Sequence, residues 1–398
     1  MKNSFFNLYL EITKQSLTFY VLQSENLENF KILHKSNVKI SESEDYKFFD
    51  IDRITEIVKK NIYHIEQEIN YTFKDVILIL ENFNPTFINL SGYKRLNGSQ
   101  IVKANITYIL NILKSYLNNT ELEKTIIHIF NTKFSLDGKK IDNLPIGLFG
   151  DFYSHELSFV LIDKHNFNSI NTIFDNSNLN IRKILLKSFV EGVYTSNIHR
   201  NTETFFFIKF NEKNSKIFYF ENSSLKISQS FEFGTDILIK DVSKITNLSE
   251  KTVKNILNIE EIHEDLPEDS IIQKSLFIND EFKKVSKNLI YKIILARVKE
   301  LSEIILFNNI NFKYYKNLSN TIFLNLSSNG ELKSLLGILK TVFSKKGKLD
   351  LRTLRGSSDE SMLRTAHELV HYGWKKEAIP TTKPQKSIIR RVFDKIFD

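Results

Sequence analysis

Apolar residues alternate with polar ones, or form short runs, along the first eighty residues of the chain. β-Branched and aromatic residues dominate these runs, which predicts strands over 6–12, 16–23 and 30–40 and a buried strand over 74–80. Residues 51–69 instead repeat apolar positions every three to four residues, the period of an amphipathic helix. A meander of strands, a crossover helix and a further strand are typical of an α/β layer.

The pattern changes between residues 82 and 164, where it predicts an inserted α+β subdomain. It indicates a helix over 98–117, a strand over 123–132, and a turn with glycine and proline over 137–150. A helix predicted over 178–195 then leads back to strands.

The second half of the chain repeats the order of the first half, with strands before helices. The predicted strands are 204–210, 216–221, 224–233 and, later, 321–326. The predicted helices are 237–246, 249–257 with Ser249 as its N-cap, 281–307, 331–343 and 360–372. This repetition predicts a duplicated α/β fold.

Residues 386–398 form the most one-sided segment of the sequence. At about 100° per residue, half of such a helix is apolar: Ile388, Ile389, Val392, Phe393, Ile396 and Phe397. Arg391 lies on the polar half, and Arg390 and Lys395 lie at the two edges, where their charged ends stay in water. This layout suits an anionic membrane surface. The alternative is a terminal helix that packs on its own domain.

The segment before this helix has the composition of a linker. Residues 375–384 contain two prolines, two threonines and four charged residues, which predicts a linker over 375–385. Each basic residue near an anionic leaflet contributes about 1 kcal/mol. One helix therefore binds reversibly, and stable attachment needs several copies held together.

Composition narrows the class of protein. With 398 residues and 41% hydrophobic content, the chain is long enough for two or more domains. Its apolar runs are shorter than a membrane span, and Glu11 and Lys14 interrupt the apolar N-terminus, so we expect a cytoplasmic body. The absence of cysteine excludes disulfides and thiolate metal sites. The net charge of +8 is spread along the chain, and nucleic acid is not an expected partner.

Short motifs occur along nearly the whole chain. They are Ser91-Gly92 with Asn97-Gly98; Asp137-Gly138 with residues 144–150; Gly234-Thr235-Asp236 with Asp241-Val242 and Lys254; and Ala296-Arg297 with Glu300. Together they resemble the FtsA family of bacterial cell-division proteins, which are actin-like and carry a membrane-targeting helix at the C-terminus. The resemblance implies an α/β, actin-like, two-lobed fold with an inserted α+β subdomain.

The resemblance also implies a division into subdomains. These are subdomain 1A at 1–85 and 165–200, the inserted subdomain 1C at 86–164, subdomain 2A at 201–234 and 297–374, and subdomain 2B at 235–296. The linker at 375–385 and the membrane-targeting helix at 386–398 follow.

The nucleotide loops of the family are altered in this sequence. The turn that matches the first phosphate loop, residues 11–16, lacks its glycine, and the second loop, 209–215, lacks its glycines and its magnesium-holding acid. Side chains crowd the backbone N–H groups that approach phosphate, and Glu212 repels it. The positions of this altered pocket are Glu11, Thr13, Lys209, Asn211, Gly234, Asp236, Lys254, Ser327 and Ser328.

These changes lead to an expectation about the cofactor. The resemblance implies ATP, whereas the loops predict that hydrolysis is lost and that the protein is not an enzyme. Either the pocket has lost nucleotide, so that no cofactor binds, or it binds nucleotide by another route.

A rival motif lies near the end of the body. His367-Glu368-Leu369-Val370-His371 has the H-E-x-x-H spacing of zinc peptidases. A catalytic site needs a third ligand, and Gly373 and Trp374 break the extended spacing. The same residues resemble the last body helix of the FtsA family, and that interpretation is preferred, with no metal site.

The resemblance implies a mechanical function. The protein would tether filaments of the tubulin-like protein FtsZ to the cytoplasmic face of the inner membrane at the division septum. Subdomain 2B would receive the FtsZ C-terminal peptide, and the inserted subdomain would serve self-association and contacts with later division proteins. The alternative within the same fold is the type IV pilus protein PilM, which lacks the terminal helix.

Overall fold

The computed structural model describes residues 5–13, 15–24, 30–40, 50–81, 83–200, 202–267, 269–278, 280–315, 321–326, 333–346, 349–354 and 358–378. The strands are β1 (Phe5–Ile12), β2 (Ser16–Ser24), β3 (Phe30–Lys39), β4 (Asp75–Leu80), β5 (Thr86–Arg95), β6 (Lys124–Leu136), β7 (Lys139–Ile141), β8 (Phe152–Asp163), β9 (Asn180–Leu186), β10 (Phe205–Phe210), β11 (Ser215–Glu221), β12 (Ser224–Phe231), β13 (Thr321–Leu326) and β14 (Asp350–Leu354).

The helices are α1 (Ile51–Ile69), α2 (Lys103–Thr120), α3 (Lys164–Asn176), α4 (Lys187–Ile198), α5 (Asp236–Thr246), α6 (Glu250–Ile259), α7 (Lys287–Ser302), α8 (Lys333–Lys346) and α9 (Asp359–His371). The chain divides into two compact units, Met1–Lys187 with Ala366–Asp398, and Ser188–Thr365. Among the described residues, no helix has the length and hydropathy that a membrane span requires.

The first unit is built on a sheet of order β3-β2-β1-β4-β9. Strands β1 to β3 are an antiparallel meander, whereas β4 and β9 run parallel to β1. Helix α1 makes the crossover to β4, begins where the Asp50 carboxylate accepts the Arg53 N–H, and ends at Asn70 in the left-handed conformation. It buries Ile54, Val58 and Ile62 at the helical spacing that the sequence predicts.

The second unit repeats this plan. Its sheet has the order β12-β11-β10-β13-β14, with an antiparallel meander followed by two strands parallel to β10. Nearly all of β10 and β11 is buried, with phenylalanines stacked between the two strands, such as Phe207 on Phe218 at 4.5 Å between ring centroids. The duplicated α/β fold expected from the sequence is therefore confirmed.

The inserted segment of the first unit has its own antiparallel sheet, of order β5-β8-β6-β7, with α2 packed on one face. Gly92 in β5 allows this helix to approach, because a Cβ there would lie 2.5 Å from Ile109. Strand β7 pairs with β6 only at Phe134–Leu136. The earlier part of β6 therefore has no strand of this sheet beside it on that side and forms an edge. The backbone of residues 376–378 binds that edge: Asn131 N–H donates to the Lys376 carbonyl at 2.7 Å, and Ala378 N–H donates to the Ile129 carbonyl at 2.8 Å.

Several predicted elements were wrong. The helix predicted over 178–195 is two elements, because Asn178 adopts a positive φ and residues 180–186 continue as β9 along the open edge of β4. The helix predicted from 98 starts at Lys103, after a turn at Gly98, and the helix predicted over 281–307 starts at Lys287 and ends in a π-helical turn. The prediction missed β5, β8, α3 and β14, and it also missed β7, whose residues were predicted to form a turn.

Candidate functional site

The carboxyl edge of the first sheet gathers three charged residues. Because β1, β4 and β9 are adjacent and parallel, their carboxyl ends lie at the same edge. Glu11 is the second-last residue of β1, Glu81 follows β4, and Lys187 begins α4 after β9. Lys187 Nζ donates to Glu81 Oε2 at 2.9 Å and also to Glu11 Oε1.

This cluster is largely buried and carries two carboxylates for one ammonium. Burial raises the pKa of Glu11, Lys187 lowers it, and the nearby charge of Glu81 raises it, so that the net direction is upward. A phosphate at this edge would meet two carboxylates that already hold the lysine. The cluster is thus suited to holding three elements together and is poorly suited to binding an anion.

Glu11 and Thr13 were assigned to one turn, and the structure separates them. Glu11 is wrong as a turn residue, since β1 continues to Ile12. Thr13 lies in the turn, where its Oγ1 accepts N–H groups from Gln15 at 3.1 Å and Ser16 at 2.9 Å. These backbone donors, which a phosphate loop would offer to its ligand, are bound within the turn itself.

The second phosphate loop, between β10 and β11, packs directly on the start of α5. The carbonyls of Asn211 and Glu212 accept the N–H groups of Thr235 at 2.9 Å and Asp236 at 3.0 Å. A Cβ on Gly234 would lie 2.3 Å from both carbonyl oxygens, so glycine is needed for this contact. The first N–H groups of the helix therefore donate to the loop's own backbone.

Charged side chains around this second loop are also paired. Lys209 Nζ donates to Glu191 of α4 at 2.8 Å in a largely buried pair. Lys254 of α6 donates to Glu212 at 2.9 Å, and this pair is exposed. The structure thus brings Asn211, Gly234, Asp236 and Lys254 together, and turns Lys209 toward α4.

The motif residues Asp241, Arg297 and Glu300 form one ionic group between α5 and α7. The Arg297 guanidinium binds Asp241 with Nε at 2.5 Å and Nη2 at 3.1 Å, and Glu300 with Nη1 at 2.7 Å. The hydrogen bonding of Arg297 to the Asp241 carboxylate, which accepts from the guanidinium, is the main cause that raises the pKa of Arg297. This group holds two helices in register.

Two sets of predicted site residues lie outside the described residues. They are Ser327 and Ser328, and all nine membrane-binding residues of the segment 386–398.

The H-E-x-x-H residues lie on α9, and the first histidine faces the core. His367 is fully buried, and its Nδ1 lies 2.9 Å from the hydroxyl of Tyr9 in β1. Burial lowers the pKa of His367 to about 4, and His371 beside it adds to this effect. Within the described ranges, no group of three His, Asp or Glu residues is arranged to hold a metal ion. The geometry supports a packing role for His367.

Residues at the start of the predicted linker form a further ion cluster, the Glu377 cluster, with His128 and Lys183. Lys183 of β9 donates to Glu377 Oε2 at 3.0 Å and to the Leu369 carbonyl at 3.1 Å. His128 Nε2 accepts the Leu186 N–H at 3.3 Å, so Nδ1 carries the proton and donates to Glu377 Oε1 at 3.2 Å. Burial acts to raise the pKa of Glu377, but His128 and Lys183 outweigh it and the net shift is downward.

Sequence reasoning missed Glu81, Lys187 and Glu191. The signal was present, because Glu11 and Glu81 each lie at the carboxyl end of an apolar run. The false helix over 178–195 concealed β9, and with it the fact that Lys187 follows a third parallel strand.

The whole structure resembles solved structures of one fold. It superposes on a chain of the PilM-PilN type IV pilus biogenesis complex with a TM-score of 0.50, at 9% identity, over 93% of this chain and 97% of that chain. The chain has the actin-like ATPase fold. A weaker match is MreB5 of Spiroplasma citri bound to ADP, with a TM-score of 0.42 at 8% identity over 91% of this chain and 96% of that chain. Another is a protein of unknown function with an actin-like ATPase fold from Bacteroides thetaiotaomicron, with a TM-score of 0.41 at 13% identity over 90% of this chain and 95% of that chain. No family model and no curated protein matches the sequence.

Proposed function

We propose that this actin-fold protein is a non-enzymatic assembly protein that tethers FtsZ filaments to the cytoplasmic face of the inner membrane. The observation that carries the proposal is that its own side chains and carbonyls occupy the phosphate-loop positions of both units. Thr13 binds the donors of the first turn, and the carbonyls of Asn211 and Glu212 bind the first donors of α5. Such loops favour a fixed scaffold over a cycle of nucleotide binding and hydrolysis.

The terminal segment supplies the membrane part of the proposal. The helix predicted over 386–398 has an apolar face edged by Arg390 and Lys395, which suits anionic lipid. In the proposal, subdomain 2B receives the FtsZ C-terminal peptide, and the inserted subdomain contacts other copies and later division proteins at the septum.

A second candidate function is that of a type IV pilus assembly protein. The match to the PilM-PilN complex, at a TM-score of 0.50 over nearly the full length of both chains, favours it. The two candidates differ in partner, since the first requires FtsZ and the second requires PilN. They also differ in the use made of the terminal helix.

Co-sedimentation tests the first candidate directly. The full chain is mixed with FtsZ polymers and with vesicles that contain phosphatidylglycerol, and the pellets are compared with those of the Phe393→Asp variant. We expect the full chain to bring FtsZ to the vesicles and the variant to bind FtsZ alone, because a carboxylate on the apolar face opposes insertion into lipid. Binding of PilN without FtsZ would favour the second candidate, and unchanged vesicle binding by Phe393→Asp would sink the membrane role of the tail.

A further inference from the structure

A rigid loop of the inserted subdomain presents large apolar side chains to solvent. This apolar loop, residues 142–150, connects β7 to β8. Its side chains are exposed to 44% at Leu144, 53% at Ile146, 46% at Leu148 and 69% at Phe149. Soluble proteins seldom expose several large apolar groups in one short segment unless the segment contacts a partner or a membrane.

Backbone hydrogen bonds hold the apolar loop in place. Ile101 N–H donates to the Leu148 carbonyl at 2.8 Å, and Gly147 N–H donates to the Ile101 carbonyl at 2.9 Å. At the end of the loop, the Asp137 carboxylate accepts N–H groups from Asp151 at 3.0 Å and Phe152 at 2.8 Å. The exposed side chains are therefore already ordered, and binding through them loses little further conformational entropy.

The surroundings of the apolar loop are basic. Residues 94–103 and 137–151, which contain the loop, the strand ends around it and the first residue of α2, carry five basic residues against three acidic ones, and Lys140 lies 4.0 Å from Asp142. One of the acidic residues, Asp137, is turned to its two backbone donors. Apolar side chains with a basic rim match an anionic lipid surface, in which acyl chains lie beneath negative headgroups.

The apolar loop also lies beside Lys376, which is close to the end of the described residues and precedes the terminal segment in the sequence. Lys376 Nζ is 3.4 Å from the carbonyl oxygen of Asp142, the first residue of the loop. The terminal segment is itself basic, with Lys386, Arg390, Arg391 and Lys395 against two aspartates. Two basic surfaces do not attract each other, so the charges disfavour docking of the tail on the loop, whereas both can face the same negative membrane.

We propose that the apolar loop is a second membrane-contact site, which inserts Ile146, Leu148 and Phe149 into an anionic lipid surface beside the terminal helix. This inference rests on the proposed membrane role of that helix. The loop sets the orientation of the body on the membrane, since two separate contacts fix an orientation that one tether leaves free.

Fluorescent labelling tests this contact. Because the chain contains no cysteine, Phe149→Cys gives a single site for an environment-sensitive dye in the full chain. Tyr116→Cys is the matched control, since Tyr116 is 56% exposed on α2 of the same subdomain. We expect vesicles of phosphatidylglycerol and phosphatidylcholine with brominated acyl chains to quench the dye at 149 and to leave the dye at 116 unchanged.

The vesicle affinity of unlabelled variants gives a second measurement. Phe149→Ser should weaken binding about fivefold, whereas Tyr116→Ser should leave it unchanged. A silent dye at 149 on vesicles that the chain does bind would overturn the inference and leave the tail's role intact. A full chain that fails to bind vesicles would overturn the proposed function as well. A dye that responds to protein concentration or to FtsZ, and not to lipid, would make the loop a protein contact and overturn the inference.

Discussion

At the scale of single residues, the ionic clusters differ in how much they contribute to the free energy of unfolding. Lys187 lies between Glu11 and Glu81 with all three side chains mostly buried, whereas Lys254 and Glu212 are about half exposed. Removing one partner of a buried pair leaves charge without compensation, but an exposed pair contributes little. The buried cluster should therefore dominate the response to substitution.

Lys187→Met should destabilise the protein by about 2 to 3 kcal/mol, because it leaves two carboxylates facing each other. The loss should be larger at pH 8 than at pH 5, since the substitution removes the charge that lowers the pKa of Glu11 and protonation then relieves the repulsion. Urea denaturation measures the effect. Lys254→Met is the control, expected to change the free energy of unfolding by less than about 0.5 kcal/mol. Equal effects of the two changes would contradict the assignment.

His155 should make the inserted subdomain sensitive to acid. It is buried against Phe134, and burial lowers its pKa from 6.5 to about 4, while the negative charge of Glu156 acts in the opposite direction. The unfolded chain takes up the proton first, so stability is retained above pH 6.5 and is lost as the pH falls from about 6.5 to 4, by about 3 kcal/mol at most. His155→Phe should flatten this part of the curve of stability against pH. Replacing the exposed His64 by Gln should not change this part of the curve. A steep curve retained by His155→Phe would argue against His155 as the source of the acid sensitivity.

At the scale of elements, the Glu377 cluster joins the inserted sheet to the first sheet. Strand β6 provides His128, β9 provides Lys183, and the segment after α9 provides Glu377 and the two backbone bonds to β6. Gly373, with φ of +72°, ends α9 and allows the chain to turn toward that edge. The first residues of the predicted linker are thus attached to the body.

Glu377→Gln should loosen this attachment, because it removes the charge that Lys183 and His128 bind. We expect faster hydrogen exchange at the amides of Asn131 and Ala378, whose bonds hold residues 376–378 on β6. Glu360→Gln, which removes an exposed pair with Arg364, is the matched control. Unchanged exchange at both amides would show that the backbone bonds alone suffice. The pKa of Glu377 is lowered, so in the parent protein this contribution persists above about pH 4.5 and is lost on further acidification.

The sequence predicted elements best where one physical signal acted alone. The helical period of apolar residues predicted the bounds of α1, because this helix buries one face. The continuous apolar run predicted the bounds of β13, because this strand is buried on both faces. The prediction for residues 180–186 was wrong. Ile181, Ile184 and Leu185 fit a helical period, but the segment forms a strand because its backbone pairs with the open edge of β4. Within the candidate site, the loop of Asn211 with Gly234 could be recognised from its motif. The position of Lys187 could not, because it follows from the parallel pairing of β9 with β4, which no local sequence pattern contains.

At the scale of the whole molecule, the two loops whose backbone donors are already hydrogen-bonded within the protein lead to a prediction about nucleotide binding. A ligand at about 100 times its Kd stabilises a protein by roughly 2.7 kcal/mol, which amounts to several degrees in Tm. We expect millimolar ATP with magnesium to raise the Tm of this chain by less than about 1 °C. MreB5 of Spiroplasma citri, which has been solved with ADP and with AMPPNP, is a suitable positive control. A shift of several degrees would mean that nucleotide binds despite the paired donors.

The attachment of residues 376–378 to β6 also limits distance. From Ala378 to the start of the predicted helix at Lys386, the chain has eight backbone steps, which reach about 28 Å when fully extended. If the helix lies in the membrane, the edge of β6 cannot be farther than that from the lipid surface. The gap is narrower than a typical folded domain, so a globular partner could not fit between this edge and the bilayer and would have to approach this edge from the side.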